Sequence, residues 1–242
     1  MSIAEQITEL KQDYDDVYEA GKEQENLELW SMMTNNGTRG FYTYAFRYWD
    51  WKVANPPILI KPTGQYHTMM SECPNLEEIV PDNFDFSATP DNQTAGTAAY
   101  YHTFSGNPKL KAIPDMNMPP RGMYYTFYDC PLLERIERVQ IRETTQIDGA
   151  FAKLPSLKYI RFDGTIGSVL NIRYSSELDR GSIENIIGCL SSNVSGKTLT
   201  LNVNAVNKAF ETSEGANDGS TSAEWNALTS AHSNWTISLA TA

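Results

Sequence analysis

Apolar side chains recur in one fixed phrase between Tyr66 and Phe162. Each of four copies centres on a proline, with a leucine two residues after it and an isoleucine three further on. The copies are Pro74-Asn75-Leu76 to Ile79, Pro108-Lys109-Leu110 to Ile113, Pro131-Leu132-Leu133 to Ile136, and Pro155-Ser156-Leu157 to Ile160. A large apolar residue stands four positions before each proline: Met70, Phe104, Phe127 and Phe151. His67, Tyr101 and Tyr124 stand seven before in three copies. The prolines are 34, 23 and 24 residues apart. A period in the low twenties around Leu-x-x-Ile predicts a leucine-rich repeat, one strand plus a loop or short helical turn per copy. A single copy cannot bury its apolar face, but neighbours can bury it together. Just before the prolines, Cys73, Asn107, Cys130 and Leu154 are expected to be buried, with Asn107 able to bond loop backbone.

Before the copies, residues 1–33 show a different period. Ile3, Ile7, Leu10, Tyr14 and Val17 follow spacings of four and three, a heptad seam capped by Ser2 with Glu5 three residues on. This predicts a helix for oligomerisation or particle docking. Its polar face is acidic, so the helix carries much of the net charge of −11. Residues 34–65 are rich in aromatics from Phe41 to Trp51, and Tyr44-Ala45-Phe46 matches the aromatic part of a copy. They read as an N-terminal capping region, with a strand over Pro56–Ile60. The repeats occupy 66–170. Residues 171–242 read as capping units of mixed type: a helix over Ser182–Leu190 with Ser182 as cap, a strand at Leu199–Leu201, a helix over Ala205–Phe210, a helix over Glu224–Ala231, and a strand over Trp235–Leu239. The expected fold is therefore α/β: a leucine-rich-repeat solenoid with an N-terminal heptad helix and a C-terminal mixed α/β cap.

Within each copy the strand should alternate, leucine and isoleucine inward. Glu78, Arg135, Glu137, Tyr159 and Arg161 are then candidates for one exposed strand face, together with Val80, Ala112 and Pro114. The surplus of the first interval, Ser87 to Ala99, reads as a loop, and loops on a repeated scaffold often carry binding.

Charge and chemistry narrow the function. A sequence pI near 4.7 argues against nucleic acid, whose phosphates require Lys and Arg. No apolar run approaches a membrane span, and Met1-Ser2-Ile3-Ala4-Glu5 has no signal-peptide character. Three cysteines, Cys73, Cys130 and Cys189, make no CxxC. Ser195-Gly196-Lys197-Thr198 echoes a phosphate-binding loop, but Ser191 stands where its first glycine belongs and a strand follows. His67, His102 and His232 lack metal-ligand spacing. No catalytic, cofactor or metal residues are expected.

Three parts of the chain carry a likeness to a known group. They are Val17-Tyr18-Glu19-Ala20-Gly21 with Leu29-Trp30, Asn36-Gly37-Thr38-Arg39 and Tyr42 to Phe46; the Phe-x-x-Cys-Pro-x-Leu-x-x-Ile phrase; and Ser182-Ile183, Asn185-Ile186-Ile187, Gly196 to Leu201 and Trp235-Thr236-Ile237. On these the sequence resembles leucine-rich-repeat proteins, related to the BspA-like class, among virion proteins of tailed phages and prophages of gut and Gram-positive bacteria. The resemblance implies a structural protein of a tail, baseplate or head fibre, made in the host cytoplasm, with no catalytic residues. Its expected partners are itself, as a trimer, other virion proteins and a host cell-surface component, without nucleic acid or membrane insertion. Two alternatives are a bacterial surface adhesin built on the same repeats and a polysaccharide-active enzyme of a tail.

Overall fold

The computed structural model describes residues 46–56, 59–60, 68–94, 98–211 and 219–242. The heptad positions Ile3, Ile7, Leu10, Tyr14 and Val17 lie outside them, as does His67. Among the described residues, eight strands form three small parallel sheets. β1 (Val53–Ala54) pairs with β2 (Glu78–Ile79). β3 (Ala112–Ile113), β4 (Arg135–Ile141) and β5 (Tyr159–Gly164) form the second sheet, and β6 (Leu170–Asn171), β7 (Lys197–Asn202) and β8 (Trp235–Ala240) the third. Among the described residues there are three α-helices: α1 (Arg180–Gly188), α2 (Val203–Ala209) and α3 (Ala223–Ser230).

This corrects the expected fold class. The chain is not a leucine-rich-repeat solenoid: among the described residues its sheets are small and separate, and no α-helix lies between the copies, only a 3-10 turn at Pro81–Asn83. Proline supplies part of the reason. Pro81 follows β2 by two residues and Pro114 follows β3 directly, and proline has no N–H for a ladder. β2 and β3 accordingly stop at two residues. β4 and β5 have no proline beyond their isoleucines and run to seven and six.

The repeated phrase still governs what is buried. Leu76, Leu110, Leu133 and Leu157 are fully buried, and Ile79, Ile113, Ile136 and Ile160 nearly or fully so. Phe127 lies between Phe104 and Phe151, with ring centroids 5.8 and 5.6 Å away. In the turn that precedes each proline, the backbone joins neighbouring copies again. His102, Phe104 and Gly106 donate their N–H groups to the carbonyls of Tyr124, Thr126 and Tyr128, and Tyr125, Phe127 and Asp129 donate to Asp148, Ala150 and Ala152. Phe46, Trp49 and Trp51 gather their rings within 5.3 Å of one another, and the Phe46 N–H bonds the Met69 carbonyl in the same manner.

The C-terminal part follows ordinary helix and strand rules. The α1 cap is Asp179, whose carboxylate accepts from the Ser182 N–H at 2.7 Å, not Ser182 as expected. Ser182 is drawn inward instead, where its hydroxyl oxygen accepts from the Ile160 N–H at 3.0 Å. Asn202 caps α2 and Ser222 caps α3. β7 and β8 pair in register over all six residues, Lys197 with Trp235 through Asn202 with Ala240. The Ile60 end of the expected strand near Pro56 makes a bridge to Phe84, while residues 57–58 lie outside the described part.

Candidate functional site

Two surfaces of the repeated stretch carry side chains that a partner could meet. On the strand side, Glu78, Arg135 and Arg161 are exposed, and Glu137 and Tyr159 half-buried. Arg135, Glu137 and Tyr159 come together: Arg135 Nε donates to Glu137 Oε1 at 2.9 Å, and its guanidinium lies 4.3 Å over the Tyr159 ring. Glu78 belongs to the separate two-stranded sheet. Arg161 is exposed at the β5 position after Ile160.

Beside this face runs a row the sequence reading missed. Lys52, Glu77, Lys111, Glu134, Lys158 and Asp179 succeed one another, each N–H bonded to the carbonyl of the one before. Their charges alternate in sign. Lys52 and Lys111 lie 3.7 and 3.6 Å from Glu77, and Lys158 lies 3.1 Å from Glu134. The signal was present: the residue after the leucine of each copy, and after Leu178, reads Glu, Lys, Glu, Lys, Asp. Arg138 adds pairs to Asp115 at 3.1 Å and Asp163 at 3.6 Å. The strand side is thus a charge-compensated surface rather than a field of one sign. Each exposed pair contributes about 0–1 kcal/mol, so its main effect is to favour the native order of neighbours over a slipped one, which would place like charges together.

The turn side is aromatic. The His102 and Tyr125 rings stack at 5.0 Å, and Tyr101 meets His102 edge-on at 4.6 Å. Tyr128 meets Tyr125 edge-on at 5.5 Å, and the Lys153 ammonium lies 4.9 Å over its ring. All four aromatic side chains are half-buried. The backbone holds two of them in an uncommon conformation. His102 and Tyr125 have φ of +54° and +52°, and Gly149 occupies the corresponding position of the next copy at +65°. A positive φ costs a bulky residue on the order of 1–3 kcal/mol, and the same conformation recurs at Thr68 and, four residues on, at Glu72, Gly106, Asp129 and Lys153, so it belongs to the repeated turn. Gly149 also makes room, since a Cβ there would lie 2.3 Å from Tyr125 Cε1. Tyr124, one residue earlier, is held above the usual tyrosine pKa range by burial and then by the Asp148 carboxylate.

The segment after Ser87 is tied down where it is described. Thr89, Ala98 and Ala99 are buried, and Asp91 accepts from Arg142 through both carboxylate oxygens at 2.6 Å. That hydrogen bonding holds the Asp91 carboxyl below its ordinary pKa. Gln93 Oε1 accepts from the Gln146 N–H at 3.2 Å. This segment braces two copies together, and residues 95–97 lie outside the described part.

The residues before the prolines act inside. Asn107 donates to the carbonyls of Met70 and Phe104, both at 2.8 Å, and accepts from the Cys73 N–H at 2.8 Å. The Cys73 and Cys130 thiols donate to the Phe46 and Phe104 carbonyls at 3.1 Å. Burial pushes these thiols up to about 11 and about 12, so both are protonated and poor nucleophiles at neutral pH. Among the described residues no group of His, Cys, Asp and Glu could hold a metal ion, and no helix is long and apolar enough to cross a membrane. An open cleft of about 530 Å³ between α1 and α3 is lined in part by Phe210 and Leu228, with Arg180 paired to Glu184 on its own helix at 2.8 Å and across to Glu224 on α3 at 2.9 Å.

Compared with known proteins, the chain matches no family model, no curated protein and no solved structure.

Proposed function

We propose that the chain is a structural protein of a phage particle, in its tail, baseplate or head fibre, working as a non-catalytic adhesive or decorating module. In this reading it is made in the host cytoplasm and assembles with itself, as a trimer through residues 1–33, and with other virion proteins. The likeness of its opening, repeated phrase and close to phage virion proteins supports the setting. The turn side supports the activity. Its observation of greatest weight is that His102 and Tyr125 are held at positive φ, one ring stacked on the other, at the centre of a half-exposed aromatic patch. Tyrosine offers contact area at little entropic cost, and aromatic groups are enriched at interfaces. The partner in this reading is a host cell-surface component.

The test has two readouts. Quantitative mass spectrometry of purified particles is expected to find the chain in fixed stoichiometry with tail or head proteins. Purified chain is expected to bind host cells, and Tyr125→Gly with Tyr128→Ala to abolish binding while thermal stability stays near the parent's. Absence from purified particles overturns the setting, and unchanged cell binding by the variant overturns the contact face.

A further inference from the structure

The edge of the third sheet supplies a separate observation. β8 pairs with β7 on one side, and among the described residues no strand lies on its other side. An open edge presents unpaired backbone groups, which natural proteins usually guard with charge, proline or a bulge. β8 has none of these. It matches β7 without a register shift, and from Ser233 to Ala242 no side chain is charged and no residue is proline.

The side chains also look unfinished. Ile237 and Leu239 lie beside Leu199 and Leu201, which are fully buried or nearly so, yet they themselves are only half-buried. Trp235 alone of the β8 inner positions is closed off, its indole N–H donating to the Ser191 carbonyl at 2.8 Å. One more strand on this edge would cover the two apolar groups and satisfy the backbone together.

We propose that this strand is β8 of a second copy, antiparallel across a two-fold axis at Ser238. Side chains alternate along a strand, so this alignment sets Ile237 opposite Leu239 on the inner side and Thr236 opposite Ala240 on the outer. Apolar thus meets apolar and small meets small, the self-complementarity an isologous interface needs. The charge-free edge is also where a chain of net charge −11 can approach its own copy with least repulsion. A single six-residue strand buries less than the roughly 800 Å² per partner of a standard interface, so the association is weak and depends on concentration.

Sedimentation of the full chain from low micromolar to several hundred micromolar tests this. The parent is expected to show a concentration-dependent doubling of mass, added to any association made elsewhere. Ser238→Lys and Ser238→Glu each place like charges against each other at the axis and should weaken that step by roughly tenfold or more. An equimolar mixture of the two variants should restore it, which a folding defect could not do. A parent with no doubling over the range, a doubling that both variants retain, or a mixture that stays undimerised would each overturn the proposal.

Discussion

The copies between Tyr100 and Phe162 and the units from Leu170 to Ala240 both bury apolar side chains but are held by different means. In the C-terminal part each α-helix is finished by its own local chemistry. Asp179, Asn202 and Ser222 cap the helices, and a six-residue ladder joins β7 to β8. In the repeated stretch there are no α-helices to cap, and β3 is only two residues long. Cohesion comes from like meeting like across copies: phenylalanine on phenylalanine, a turn amide on the next turn's carbonyl, lysine beside glutamate. Irregular backbone can be well fixed when its polar groups are passed to an equivalent neighbour. It then offers a firm base for an aromatic surface.

The comparison can be broken most severely in the shared core. Phe127→Ala removes the middle ring of three and is expected to cost about 3–5 kcal/mol, by far the largest loss in denaturant melts. Asn107→Ala comes next, at about 2–3 kcal/mol, because the Cys73 N–H and the Met70 and Phe104 carbonyls lose their partner. Asn107→Cys, which reproduces the thiol-to-carbonyl bond of Cys130, should recover part of it. Glycines separate the two regions further. Gly149→Ala drives a methyl into the Tyr125 ring at positive φ and should cost about 1–3 kcal/mol. Gly188→Ala in α1 meets nothing within 4 Å and should stabilise by about 0.5–1 kcal/mol. Smallest is Glu77→Lys, which sets three lysines in a row. It should cost about 1 kcal/mol or less at low ionic strength, with the loss shrinking as salt is added.

Much of this burial was legible from the phrase itself. The leucines, isoleucines and phenylalanines it marks are the core residues, and Asn107 bonds backbone as its place before a proline suggested. The strand and helix signals after Ser182 also lie close to the observed elements. The fold class was not legible, because the period says that copies recur but not how long each strand runs. Pro81 and Pro114, which limit β2 and β3, sit just outside the phrase. Ser182 was assigned the cap because it opens the apolar pattern, but Asp179 holds that position and Ser182 serves Ile160, 22 residues away. The Asp91 pair with Arg142 spans 51 residues, a contact that no local pattern announces. The alternating charge row was readable, but only by comparing one position across copies rather than neighbours within one.

The account turns on the turn side of the copies being fixed as firmly as the strand side, so that His102, Tyr125 and Tyr128 form a standing surface. Native-state amide hydrogen exchange measures this directly. The amides of His102, Phe104, Tyr125 and Phe127 should exchange as slowly as those of Ile136 and Ile160, at rates set by global unfolding. Turn amides that exchange orders of magnitude faster, while the strand amides stay protected, would contradict it.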